Sequence, residues 1–174
     1  MKWQNMIEDL DACREARRWM RDYVGENAWD ECERGDWLLW LATKVGVDRR
    51  LVVAAGLECL EPLLQYTDLQ NEVSLLRAWL IHRADIEKET VEIDESCYSD
   101  TDLKSEVNYA IVCLLEVCYG DEVAAIANEV IDAVGDAYIY LGKSKADSYR
   151  EAAIIIRKHI TLEMVHGKLE EASY

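Results

Sequence analysis

Carboxylates set the chemical character of this sequence. Glu122, Glu129, Asp132 and Asp136 follow one another at intervals of seven, three and four residues, which on a helix puts all four within about 80° of one another. Such a row repeats about every 5–10 Å along the helix, comparable to the spacing of phosphates on a nucleic-acid strand. It can attract a basic surface, or it can serve only as a solubilising face. Upstream, Glu92, Asp94, Glu95, Asp100 and Asp102 form a second acidic group, and Tyr98 and Tyr109 stand nearby as aromatic candidates for anchoring a partner. From residue 85 to residue 136 there are 15 carboxylates against Lys88 and Lys104, a local net charge of −13; the whole chain has 35 acidic and 19 basic residues, for −16. Charge of this sign and density repels nucleic acid and anionic membrane and favours a basic protein partner.

Other chemistry is sparse. Glu163-Met164-Val165-His166 matches the Glu-x-x-His spacing of helical metal sites once, without the partner carboxylates such sites need. His159 lies among isoleucines and reads as a satisfied core histidine. Six cysteines (Cys13, Cys32, Cys59, Cys97, Cys113, Cys118) form no Cys-x-x-Cys pair and are not grouped with histidines at zinc spacing. They read as reduced thiols, with Cys13, Cys59, Cys113 and Cys118 among apolar helix positions. No nucleophile elbow, phosphate loop, zinc-protease pair or dinucleotide fingerprint is present. The sequence therefore predicts no catalytic residue, no cofactor and no metal: a protein that is not an enzyme.

The elements that carry these residues are helices. Half the residues are apolar, and there is one proline, Pro62; scarce breakers with long periodic segments favour an all-α chain. The pattern predicts helices over 5–23, about 26–34, from Trp37 to Gly46 with Asp36 as N-cap, and from Arg49 to about Tyr66 with Asp48 as N-cap and Pro62 stopping it locally. Asp68 opens a further helix, Thr101-Asp102 opens one ended by Gly120, Asp121 opens one to Leu141, and a last runs from about Ala146 to near Gly167. Residues 85–100 lack a helical period and read as one long acidic loop, either functional or a tolerated insertion. The expected architecture is an irregular single-domain bundle of about seven helices over 1–174, with a tryptophan-rich part at 1–66 and an acidic part at 85–142. On the first helix, Arg14, Arg17, Arg18 and Arg21 share one side. They read as a solvated face balanced by Glu15, Asp22 or the acidic half, with a basic docking stripe as the other reading.

The aromatic centre of the chain is Ala28 to Leu41, which holds Trp29, Trp37 and Trp40; the apolar run Trp37–Ala42 predicts a helix buried on every side. Arg34-Gly35-Asp36 reads there as a turn, Gly35 easing the backbone and Asp36 capping. The start Met1-Lys2-Trp3-Gln4-Asn5 has no apolar core or small-residue cleavage site, and no apolar run approaches the roughly 20 residues that span a bilayer. A cytoplasmic setting is expected.

Cys13-x-x-Ala16-x-x-Trp19 followed by Ala28-Trp29-x-x-Cys32-x-Arg34-Gly35-Asp36-Trp37-Leu38-Leu39-Trp40-Leu41 resembles the N-terminal signature of a bacterial and phage family of immunity proteins. The resemblance covers about a third of the chain, to Leu51-Val52-Val53-Ala54-Ala55 and Glu58-Cys59. It implies neutralisation of a partner protein and supplies no catalytic residues. Joined to the acidic row, it suggests a non-enzymatic inhibitor of a basic partner such as a toxin or nuclease. In a phage the same physics would make an anti-defence protein that mimics nucleic acid, for instance against a CRISPR effector. The remaining alternative is a structural or oligomerisation module, monomer or dimer, whose acidity serves only solubility.

Overall fold

The computed structural model describes residues 10–22, 27–82, 101–120 and 123–171. Among these every regular element is helical: α1 (Arg14–Asp22), α2 (Ala28–Glu31), α3 (Gly35–Lys44), α4 (Arg49–Leu60), a 3-10 helix (Glu61–Tyr66), α5 (Gln70–His82), α6 (Leu103–Tyr119), α7 (Val123–Tyr140), α8 (Lys145–His159) and α9 (Leu162–Glu171). The protein is all-α, with nine α-helices among the described residues where about seven were expected. The acidic stretch 85–100 lies outside the described residues. None of the described helices is long and apolar enough to cross a membrane.

Two compact units emerge, Met1–Cys32 and Glu33–Tyr174. In the first, α1 buries Ala16 and Met20 and exposes Arg14, Arg17, Arg18 and Arg21. Within the described part this helix starts later than its apolar pattern predicts. Asp11 holds a positive φ of 59°, a conformation Asp tolerates better than most residues. Cys13 then sits at the helix entry, its sulfur accepting the Ala16 N–H at 3.4 Å. Cys13 is accordingly exposed rather than part of the apolar stripe.

In the second unit α7 is the central helix. It packs on α3, α4, α6 and α8, while α4 packs on α6 and α8 and α5 lies against α4 and α6. The core is aliphatic: Val52, Leu60, Ile111, Leu114, Leu115, Val130, Ile131 and Ile156 are fully buried. Each such side chain contributes about 1.5–3 kcal/mol by leaving water. Cys59 and Cys113 belong to this core and Cys118 is half-buried; burial pushes each of their thiols up to about 12, which keeps them protonated and unreactive.

Local signals explain most boundaries. Asp48 Oδ1 accepts the Arg50 N–H at 3.0 Å and caps α4. Pro62 lacks the N–H that an α-helix needs, so α4 ends at Leu60 and the chain tightens into the 3-10 turn. Gly46 and Gly142, with φ of 83° and 74°, follow α3 and α7.

Four expectations are corrected. α3 begins at Gly35, with Arg34 in the cap position and no side-chain cap bond, so Asp36 lies in the first turn instead of capping it. Leu38, Leu39, Leu41 and Ala42 are buried, but Trp37 and Trp40 are only half-buried, so that helix is not enclosed on every side. Asp68 precedes α5 by two residues and holds Lys104 and Asn108 rather than opening the helix. The last predicted helix is two: Ile160 is extended (φ −125°, ψ 109°), α9 begins at Leu162, and it continues past Gly167 through Glu171.

Candidate functional site: an acidic seam on α6 and α7

Asp102 fixes the start of α6, its Oδ1 accepting the Ser105 N–H at 2.7 Å. From there Glu106, Tyr109, Cys113 and Glu116 recur at three, four and three residues and share one face within about 80°. Opposite them α7 carries Glu129, Asp132 and Asp136, and the two helices pack along each other. The carboxylates consequently act on one another. Burial raises the Glu106 carboxyl above its usual range, and Asp136 and Asp132 of α7 push the same way against the pull of Lys145. Burial also raises the Tyr109 hydroxyl, with Cys113, Glu129 and Glu116 adding to the effect. The seam is thus one electrostatic unit built from both helices.

One end is closed by positive charge. Lys145, at the start of α8, places Nζ 2.9 Å from Asp132 Oδ1 and 2.7 Å from Asp136 Oδ1. Its stem crosses Gly135, where a Cβ would meet Lys145 Cγ at 2.9 Å. The buried Tyr149 hydroxyl donates to Asp132 Oδ1. Burial works to raise the Asp132 carboxyl, but the bonds from Tyr149 and Lys145 outweigh it and hold it below its usual range.

Arg34 extends this cluster. Its guanidinium lies between the rings of Trp37 (4.4 Å) and Tyr149 (4.6 Å). Its Nε donates to Asp36 Oδ1 at 2.8 Å and its Nη2 to Asp36 Oδ2. Asp36 is only 4% exposed, so its charge depends on that forked pairing. Gly35 makes the arrangement reachable: a Cβ there would lie 2.7 Å from Ala152 Cβ and 2.8 Å from Ala153 N. Arg34-Gly35-Asp36 is therefore the joint between α3 and α8, and Gly35 serves close helix approach rather than a turn.

The sequence-predicted residues divide. Tyr109, Glu129, Asp132 and Asp136 are brought together on the seam. Glu129 is exposed, Tyr109 is half-buried, and Asp132 and Asp136 are tied to Lys145. Asp102 caps α6, and its backbone and side-chain bonds with Ser105 lower its carboxyl. Glu92, Asp94, Glu95, Tyr98, Asp100 and Glu122 lie outside the described residues. Sequence reasoning missed Glu106 and Glu116, although their spacing around Tyr109 on one helix face was a usable signal. Lys145, Tyr149 and Arg34 reach the cluster only through packing.

Elsewhere, His159 is half-buried at the α4–α8 contact, with Nε2 2.7 Å from Glu58 Oε2, and Lys158 Nζ lies 3.0 Å from Glu58 Oε1. These bonds from His159 and Lys158 lower the Glu58 carboxyl. Glu163 and His166 are both exposed on α9, and among the described residues no three or more His, Cys, Asp and Glu side chains are grouped as metal ligands. Comparison with protein-family models, curated proteins and solved structures gives no match.

Proposed function

We propose that this chain is a non-enzymatic acidic inhibitor that binds and neutralises a basic protein, a toxin or nuclease, through the α6–α7 seam. The observation that carries the reading is the open half of the seam: on two helices packed along each other, α6 carries Glu116 and the half-buried Tyr109 on one face and α7 carries the exposed Glu129. Among the described residues neither of these carboxylates makes an ion pair, and Lys104, the one base on the two helices, is held by Asp68 at 2.7 Å. Unpaired carboxylates steer a cationic partner and favour fast association. A half-buried tyrosine beside them supplies apolar contact of the kind that anchors interfaces. The charge balance of the chain points the same way. The tie of Asp132 and Asp136 to Lys145 breaks the row as an even line of charge, which favours recognition of a basic surface over mimicry of a phosphate backbone.

Affinity capture from bacterial lysate at low and moderate salt, followed by an activity assay of the captured protein, tests this. The native chain is expected to retain a basic nuclease or toxin, more weakly as salt rises, and to inhibit it. Glu116→Lys/Glu129→Lys is expected to lose both effects. Equal capture and inhibition by the native chain and the variant would overturn the assignment of the seam.

A second reading rests on Ile139, Tyr140 and Leu141, which are 52%, 49% and 38% exposed in succession at the end of α7. An apolar run of this kind suits an oligomerisation surface.

A further inference from the structure

Four arginines on one face of α1 belong to no site described above. Arg14, Arg17, Arg18 and Arg21 are all exposed, and among the described residues none of them makes an ion pair. On the helix they fall within about 100° of one another. Bases without a carboxylate also occur on the larger unit, where Arg50 lies over the Trp79 ring at 5.6 Å and Lys143 over Tyr138 at 4.3 Å. No other described helix gathers four bases into one such arc.

The strip is narrow and bounded. Ala16 and Met20 are buried along one side of it. Glu15 and Asp22 fall together along the other, about 80–100° round from Arg14, and by spacing both neighbour only Arg18. Arg14 and Arg18, and Arg17 and Arg21, are like pairs four residues apart; Arg14 and Arg17, and Arg18 and Arg21, are like pairs three apart. Such pairs destabilise a helix, and α1, at 9 residues, is too short to stand on propensity alone. A row of carboxylates from outside would remove that repulsion. All four bases are arginine, whose planar fork suits a carboxylate in two-point contact better than lysine does.

The shape of the strip selects among anions. Arg14 to Arg21 spans about 10 Å along the axis, and a second helix laid alongside keeps carboxylates at i, i+3, i+4 and i+7 in step over that length, because both rise about 1.5 Å per residue. It need touch nothing but the strip. A nucleic-acid groove would enclose α1 and bring phosphates against Glu15 and Asp22. A flat anionic membrane would meet more than four side chains of a chain whose net charge is −16.

We propose that the arginine strip of α1 is a second binding surface, which receives an acidic helical segment of a partner protein. The inference stands on α1 alone and does not rest on the α6–α7 seam.

Fluorescence anisotropy of a labelled, alanine-based helical peptide with glutamates at i, i+3, i+4 and i+7 tests this on the full chain. Saturable binding is expected at about 0.1 M salt and at least about tenfold weaker binding at about 1 M, where the screening length falls from about 10 Å to about 3 Å. R14Q/R17Q/R18Q/R21Q is expected to bind at least about tenfold more weakly, with native helix content by circular dichroism. If that variant loses helix, R14Q/R21Q, which removes only the ends of the strip, is expected to weaken binding in the same direction. E116Q/E129Q is expected to bind as the native chain does. A second peptide with the same glutamates spread round its helix is expected to bind more weakly than the first. No saturable binding at the lower salt, native-like binding by the arginine variants, loss of binding in E116Q/E129Q, or equal binding of the two peptides would each overturn the proposal. So would duplex DNA or anionic vesicles that bind the native chain more tightly than the peptide and lose it with the arginines. Partner capture that needs Glu116 and Glu129 would survive any of these results, so the two readings fail separately.

Discussion

Gly35→Ala probes the joint on which the charged cluster depends. The added Cβ would stand 2.7 Å from Ala152 Cβ, 2.8 Å from Ala153 N and 3.0 Å from Ala152 C. Two of those three atoms are backbone, so no side-chain rotation relieves the contact. Ordinary carbon contacts lie at about 3.5–4.0 Å, so α3 and α8 must separate by roughly the difference. Overpacking of this kind costs about 1–3 kcal/mol. Replacing a helical glycine with alanine returns at most about 1 kcal/mol, and less in the first turn, where the helix is only beginning. The net loss is about 1–2 kcal/mol. A chain of this size loses about 2–4 °C in Tm per kcal/mol, so Tm should fall by roughly 2–8 °C. Thermal unfolding by circular dichroism measures it, with tryptophan fluorescence reporting on Trp37 beside Arg34. Gly167→Ala supplies the opposite sign: it lies in α9 with nothing within 4 Å of its added Cβ, and should stabilise by about 0.4–1 kcal/mol. If Gly35→Ala matched Gly167→Ala in sign, the close approach of α3 to α8 would be refuted.

Two further outcomes follow from the same cluster. Lys145→Met removes both carboxylate pairs and leaves Glu106, Asp132 and Asp136 facing one another, so it should cost about 1–2 kcal/mol at low salt once the exposure of the carboxylates is allowed for; urea unfolding at low and high salt should show the loss shrinking under screening, and an equal loss at both would remove the electrostatic cause. Burial raises the Glu106 carboxyl in the folded state above the ordinary glutamate value of about 4.5, so its contribution is fully present below that pH and is lost as pH rises through the folded value; Glu106→Gln should therefore raise the urea midpoint at pH 7 and leave it nearly unchanged at pH 4, and a gain of the same size at both would exclude titration as its origin.

Helix type and most helix ends were legible because they are local. Asp48, Asp102, Pro62, Gly46 and Gly142 act through bonds or dihedrals within a few residues, and each marks its boundary in the structure as its residue type predicts. The break at Ile160 carries no glycine or proline and was invisible to a pattern of apolar spacing. Asp36 looked like a cap by type and position, but a guanidinium two residues before it offered two donors, and the carboxylate took those instead. The acidic face of α7 was readable from its 3.6-residue period. That Lys145 neutralises half of it was not, because the helix turn between Tyr140 and Lys145 decides where that amine arrives. Glu106 and Glu116 were hidden by abundance: with 35 carboxylates in the chain, spacing on one helix does not single out two of them until the neighbouring helix is in place.

Lys145 divides the seam into two halves with different uses. A cationic side chain arriving at Asp132 or Asp136 must compete with an amine already within 3 Å of both, and with the Tyr149 hydroxyl on Asp132. Exchanging one ion pair for another yields little net free energy. Among the described residues Glu116 and Glu129 make no ion pair, so under the proposed function no such exchange is needed there and a partner's lysine or arginine would add a pair. Tyr109, half-buried on the α6 face that also carries Glu116, would let the same contact remove apolar surface from water. Residual affinity in the charge-reversal experiment should therefore follow Glu116 and Glu129, while neutralising Asp132 and Asp136 acts mainly on the fold by releasing Lys145. The row that stands out in the sequence is half scaffold, and the half proposed to bind a partner is the part that only the pairing of α6 with α7 assembles.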